Sequence, residues 1–283
     1  MNRKIVILIF SLVLMLSFTA CAQAKPDEIL AKNLEKTLTH ESETLKVNID
    51  QWHYEYKKHD LRFFVAHIDV SDPSQLQTAF ANEQYNKTFV EATSDIAARH
   101  DAVLAVNGDY YNYKDDTGLI IRNGTLYRDK KGTRDYLLVM EDGSFETIYK
   151  KDYEPGHGEE YLAQGVKQSF FFGPILVDNG EAVEIYEKYM ISTSDETREP
   201  RTAIGWAGGN HYIFIVADGR RDNWSEKGIT LQELQQVFVE EGALVAYNLD
   251  GGGSATLIFE GERLNQASGA RERPVSDIVY IAK

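Results

Sequence analysis

Residues 212–254 read YIFIVADGRRDNWSEKGITLQELQQVFVEEGALVAYNLDGGGS. Tyr212 to Ala217 is a short, wholly apolar run, the signature of a buried strand. A polar loop, Asp218 to Gly228, follows it. Thr230 then suits a helix cap, and Glu233 three residues on completes a capping box. Leu231, Leu234, Val237 and Phe238 form one apolar helix face, and Gly242 supplies the stop. Ala243 to Tyr247 is a second buried-strand run, and it empties into Asn248-Leu249-Asp250 and three glycines. Strand, crossover helix and strand imply a parallel pair. Ligands of α/β sheets gather at the carboxyl ends of such strands.

Working outward, Ala102 to Val106 is a third buried run, and it also ends in polar residues, Asn107-Gly108-Asp109. Leu61 to Val70 reads as a strand and Thr88 to His100 as a helix with Phe89, Ala92, Ile96 and Ala97 on one face. The middle of the chain is hairpin-like. Leu119–Ile121, Thr125–Tyr127, Tyr136–Met140 and Phe145–Tyr149 are β-prone runs, punctuated by Asn123-Gly124 and Asp142-Gly143. Ser169 to Val177 and Ala182 to Ile185 flank another turn at Asp178-Asn179-Gly180. The expectation is a single mixed α/β (α+β) domain over residues 47–283, with a mixed β-sheet core, flanking helices and a hairpin-rich middle. At 283 residues the chain is long enough to bury a large core.

The N-terminus reads as an address. Arg3 and Lys4 precede an apolar stretch from Ile5 to Leu16, too short to span a bilayer and suited to a signal peptide over residues 1–20. Small residues lead into Cys21, the chain's single cysteine, in the manner of a bacterial lipobox. A lone thiol in an exported protein makes no intrachain disulfide, and lipid attachment explains both its position and its solitude. The expectation is a cell-envelope lipoprotein anchored to the membrane through Cys21; the alternative is cleavage after Ala22-Gln23-Ala24 and a secreted or periplasmic protein. Residues 21–46, with Leu30, Leu34 and Leu38 at four-residue spacing, read as a tether or peripheral helix. The formal charge is −14, and removal of residues 1–20 takes away two cations and no acid, leaving −16. Such a chain lacks the basic footprint of a general nucleic-acid binder.

Against that acidic background, clustered cations stand out. Arg198-Glu199-Pro200-Arg201-Thr202 sets two guanidinium groups three residues apart, a spacing that suits a phosphate clamp. Arg220 and Arg221 follow Asp218-Gly219, and Arg271 and Arg273 precede Pro274. Gly251, Gly252 and Gly253 allow positive φ and close backbone approach, and their successive N–H groups suit an anion nest. Ser254 closes the triplet without a Gly-x-Ser-x-Gly nucleophile elbow, and no Gly-Lys-Ser/Thr follows to make a P-loop. Asp109, Asp218 and Asp250 are the candidate carboxylates for acid–base or nucleophilic work. Tyr110, Tyr111, Tyr113 and Trp206 suit either a sugar platform or the core, and only Tyr110 and Tyr111 are carried as candidates. The seven histidines make no metal-ligand pair, no EF-hand loop is visible, and no cofactor is expected.

Together these blocks resemble the phosphodiester glycosidase family. The resemblance rests on Ala105-Val106-Asn107-Gly108-Asp109-Tyr110-Tyr111, Gly173-Pro174-Ile175-Leu176-Val177, Arg198-x-Pro200-Arg201-Thr202-Ala203-Ile204-Gly205, Asp218-Gly219-Arg220, Asn248 to Ser254, and Arg273-Pro274-Val275. It implies an exported hydrolase that cleaves the anomeric C–O bond of an N-acetylglucosamine-1-phosphodiester-like substrate. The sugar leaves free and a phosphomonoester remains. In that reading Arg198 and Arg201, with Arg220, hold the phosphate. Asp250 and Asp109 act near the anomeric carbon, and Asn107 and the glycine triplet contribute to the site. The alternatives are a non-catalytic lipoprotein that captures phosphorylated glycans, or another envelope glycosidase or phosphodiesterase.

Overall fold

The computed structural model describes residues 32–56, 59–110, 116–185, 197–220, 227–269 and 271–283. Residues 1–20, expected to be a signal peptide, and Cys21, Tyr111, Tyr113 and Arg221 lie outside these residues. Strands dominate. An eight-stranded sheet runs in the order Lys32–Glu41, Leu45–Tyr56, His59–Val70, His211–Ala217, Arg201–Trp206, Val245–Asn248, Ile175–Asp178, Glu181–Ala182. A five-stranded sheet runs Glu262–Arg263, Leu257–Phe259, Leu104–Asn107, Asp277–Ile281, Leu76–Phe80. A three-stranded sheet (Val166–Phe170, Tyr136–Met140, Phe145–Ile148) and a ribbon (Gly118–Arg122 with Thr125–Lys130) complete the set.

The main core lies between the two large sheets, as strand alternation requires. Val47, Ile49, Phe64 and Ile68 of the eight-stranded sheet and Leu104, Val106, Leu257 and Val279 of the five-stranded one belong to one buried cluster. Helix α1, Thr93–Arg99, covers the far face of the five-stranded sheet, where Ile96 and Ala97 join Ala105, Ile258 and Ile278. Helix α2, Gly158–Ala163, flanks the ribbon. Helix α3, Leu231–Glu240, begins with the expected capping box: Thr230 accepts from the Glu233 N–H, and the Glu233 side chain from the Thr230 N–H. It buries Leu231, Leu234, Val237 and Phe238. A side chain at Gly205 would meet the Phe238 ring at 2.8 Å, so glycine permits this close packing.

The α+β class stands with more strand than expected, and two expectations, the parallel strand pair and the N-terminal helix, are corrected. The chain is more β-rich than a mixed α/β reading implies, and every strand pairing among the described residues is antiparallel. The strands flanking α3 do not pair. Arg201–Trp206 lies between them, antiparallel to both, so the helix carries the chain across one intervening strand. The expected helix around Leu34 and Leu38 is the edge strand Lys32–Glu41. A spacing of four fits one helix face and one strand face alike. Here the register shifts between Leu34 and Lys36, which leaves Leu34 51% exposed while Leu38 packs on the core.

Candidate active site

Two strand ends meet, one from each large sheet. Leu104–Asn107 runs into Gly108-Asp109, and Val245–Asn248 into Leu249-Asp250. Asn107 joins them: its Nδ2 donates to the Asp250 carbonyl at 2.6 Å, and its Oδ1 accepts from the Thr202 hydroxyl at 2.7 Å and the Thr256 N–H at 3.2 Å. The Asp250 N–H donates to the Gly108 carbonyl at 3.3 Å. Asn107 is therefore a fully engaged buried polar link that fixes the two loops against each other.

A cleft of about 260 Å³ opens over this junction. Its lining carries four arginines, Arg134, Arg201, Arg220 and Arg273, and two carboxylates, Asp250 and Glu199. Asp250 is the better placed acid. Its Oδ1 accepts from the Gly251 N–H at 2.8 Å, and its Oδ2 accepts from the Ser254 hydroxyl at 2.5 Å and Arg273 Nη2 at 3.2 Å. Burial pushes its carboxyl above the ordinary range, opposed by the Ser254 hydrogen bond and the Arg273 charge. Arg273 Nε also donates to Ser254 Oγ at 2.9 Å. Glu199 pairs with Arg220, whose φ is +57°.

The glycine triplet has a specific use. Cβ atoms at Gly252 and Gly253 would lie 3.2 Å from the Arg220 and Arg273 side chains, and one at Gly251 would lie 2.6 Å from the Pro200 carbonyl. The missing side chains let two guanidinium groups lie against the backbone beside Asp250. Asn248 donates to the Gly173 carbonyl at 2.8 Å, and its buried Oδ1 has no hydrogen-bond partner among the described residues. Such an orphan acceptor at a cleft wall is costly without a ligand or water donor.

The other candidates are distributed differently. Tyr110 lines the cleft. Arg201 also lines it, but donates to the Ile229 and Thr197 carbonyls at 2.9 Å each; burial lowers its pKa to about 10. Arg198 does not line it: its guanidinium donates to the Gly228 carbonyl and pairs with Glu233 at the start of α3. Asp218 is occupied elsewhere, accepting from Arg62 at 2.8 and 2.6 Å and from the Gln266 N–H at 2.8 Å. Asp109 sits behind the cleft, 3% exposed, accepting from the Phe171 and Phe172 N–H groups at 3.0 and 3.1 Å.

Behind Asp109 lies a group the sequence did not single out. Arg122 Nη2 reaches Asp109 at 3.4 Å and Asp277 at 2.7 Å, while its Nε donates to Asp277 at 2.9 Å. Asp277 in turn accepts from the Asp109 N–H at 2.9 Å. Burial raises Asp277 to about 7 against the pull of Arg122. Arg134 was equally unforeseen; it stacks over the Phe172 ring, 4.8 Å from its centroid. Nothing near either residue marks it in sequence, whereas Arg273 sits in the recognisable Arg-Pro-Val block. Among the described residues, no group of three or more His, Cys, Asp or Glu is placed to hold a metal ion.

The phosphodiester glycosidase family model matches residues 100–282, which hold Asp250, Arg273 and the whole cleft lining. The chain belongs to the phosphodiester glycosidase family. Among curated relatives, the SPbeta prophage-derived uncharacterized protein YomE of Bacillus subtilis is 28% identical over 204 residues, 70% of this chain and 30% of that protein. Human N-acetylglucosamine-1-phosphodiester alpha-N-acetylglucosaminidase is 27% identical over 181 residues, 61% of this chain and 34% of that protein. The chain thus matches about a third of the length of these relatives. The zebrafish catalytic domain of that name, solved auto-inhibited by its pro-peptide, superposes with a TM-score of 0.68 at 19% identity, covering 90% of this chain and 89% of that one. A hypothetical protein from Synechocystis gives 0.56 at 16% identity, covering 88% and 64%. Both are likenesses of fold.

Proposed function

We propose that this phosphodiester glycosidase family member hydrolyses the anomeric C–O bond of sugar-1-phosphodiesters of the N-acetylglucosamine-1-phosphodiester class. The sugar leaves free, and the bridging oxygen stays on a phosphomonoester. The observation that carries the reading is the placement of Asp250 in a cleft lined by four arginines. Cations suit the phosphodiester and the charge that develops on it as the C–O bond breaks. A phosphate is a weakly basic leaving group, so it needs less proton donation than an alkoxide. Asp250 then serves the anomeric centre, through water or directly, while Arg220 and Arg273 hold the phosphate and Arg134 adds charge at the wall. Glu199 is the second carboxylate of the cleft, and the Asn248 acceptor suits a substrate hydroxyl or the attacking water. Asp109 supports this centre from behind. The names of the human and zebrafish relatives favour the same substrate class.

The test is incubation of the protein with methyl N-acetylglucosaminyl phosphate and UDP-N-acetylglucosamine, read by NMR. Free sugar from wild type, and none from Asp250→Asn, supports the reading. Sugar-1-phosphate instead of free sugar marks P–O cleavage, and binding without turnover marks a capture protein. We also propose export with a lipid on Cys21, for which the sequence is the support. Metabolic palmitate labelling that survives Cys21→Ala would refute it.

A further inference from the structure

A second concavity, of about 540 Å³, opens at the opposite end of the Val245–Asn248 strand from Asp250. That volume falls in the range of small-molecule sites. Its chemistry is unlike that of the first cleft. Among the described residues no cation lines it; Asp178 and Glu146 bring carboxylates, Asn179 an amide and Thr147 a hydroxyl. In an acidic chain, this lining repels anions and so does not duplicate the phosphate site.

Two aromatic rings line the groove, Tyr149 and Trp206, each half-buried and packed on the main core. Their polar ends are already tied down. The Tyr149 hydroxyl donates to Asp178 Oδ2 at 3.1 Å, and Trp206 Nε1–H donates to the Gly209 carbonyl at 2.8 Å. The rings are therefore oriented before any ligand arrives, which lowers the ordering cost of binding. Leu244, 40% exposed, extends the apolar surface in the same groove. Lys151 approaches the Tyr149 ring at 5.9 Å but does not line the groove.

Flat apolar faces beside a carboxylate and an amide match one ligand class. A pyranose presents C–H faces that stack on aromatic rings and equatorial hydroxyls that bond to carboxylate and amide groups at the ring's edge. A purely apolar ligand would strip water from Asp178 and Asn179 without replacing its hydrogen bonds. A quaternary ammonium would use the rings and carboxylates, yet offer no hydrogen bond to the Asn179 amide oxygen or the Thr147 hydroxyl; the Asn179 amide nitrogen already donates to Asp178 Oδ1 at 3.3 Å. We infer that this groove is a second glycan-binding site, which takes an uncharged sugar unit stacked on the aromatic surface of Trp206 and Tyr149 and hydrogen-bonded to Asp178 and Asn179. The inference stands on this lining alone and does not rest on the hydrolase reading.

The experiment titrates the full-length protein with neutral tetrasaccharides of N-acetylglucosamine, glucose, mannose and galactose, following amide and indole N–H resonances. Choline and inorganic phosphate are run as separate probes. At least one tetrasaccharide should shift the Trp206 indole and the Thr147 and Asn179 amides with millimolar affinity, and phosphate should leave them unmoved. Trp206→Ala should abolish the response. Asn179→Gly keeps the turn, because Asn179 has a φ of +52°, and should weaken binding about fivefold. This second variant decides the matter if Trp206→Ala does not fold. The inference is overturned if no tetrasaccharide shifts these resonances at about 20 mM, if choline alone does so, or if Asn179→Gly leaves the affinity unchanged.

Discussion

Arg122→Met should destabilise the protein more at pH 8 than at pH 5. Arg122 is buried between Asp109 and Asp277, and its Nη1 also donates to the Ile121 carbonyl at 3.0 Å and to the Ser169 carbonyl. Methionine keeps most of the volume and removes the charge and the donors. Breaking a buried ion pair by deleting one partner typically costs about 3–5 kcal/mol. Burial already raises both carboxyls, Asp277 to about 7, and Arg122 is what opposes that rise. Without it both folded-state pKa values climb further above the unfolded values. A raised carboxyl pKa gives stability that is present at low pH and lost as pH rises toward the folded pKa. At pH 5 a protonated Asp277 leaves mainly lost hydrogen bonds, about 1–3 kcal/mol. At pH 8 the loss should reach the full ion-pair range. Urea unfolding of wild type and variant at both pH values measures it. A loss below about 1 kcal/mol, or an equal loss at both pH values, would show that Arg122 does not hold these carboxylates in a buried ion pair.

Further outcomes follow from the same geometry. Wild-type stability should fall as pH rises from about 4 to 7 through Asp277, by at most ~4 kcal/mol, and Asp277→Asn should flatten that slope in pH-dependent urea titrations. Arg273→Ala should lower kcat about 10²-fold on an N-acetylglucosamine-1-phosphodiester, and Lys should recover only part of it, since the guanidinium contacts Ser254, Gly251 and Asp250 together. Asp218→Asn should cost about 3 kcal/mol in urea yet keep kcat within about twofold, because its partners are Arg62 and Gln266. Loss of turnover in a folded Asp218→Asn protein would place that carboxylate in the chemistry after all.

The parts of the molecule written in local pattern were legible. The Thr230–Glu233 capping box, the buried runs before Asn107 and Asn248, and the turn at Asp178-Asn179-Gly180 are set by near neighbours in the chain. Pairing order is not local. The Arg201–Trp206 strand comes earlier in sequence and inserts between the two strands that α3 connects, which no periodicity encodes. The site divides in the same way. Asp250, Ser254 and the glycines share one loop and were visible as a unit. Asp218 and Arg198 carry the same motif character, but Arg62, 156 residues away, and Glu233, 35 away, claim them. Arg122 and Asp277 reveal themselves only when the ribbon and the C-terminal strand meet behind Asp109. Residue type marked the candidates, and tertiary contact chose among them.

Water attack at the anomeric carbon in the Asp250 cleft separates the proposed hydrolase from a phosphodiesterase. Hydrolysis of methyl N-acetylglucosaminyl phosphate in ¹⁸O-labelled water tests it most directly. The label should appear on C1 of the freed sugar, with none in methyl phosphate and no turnover by Asp250→Asn. Label in the phosphate product, or release of N-acetylglucosamine-1-phosphate, would contradict it.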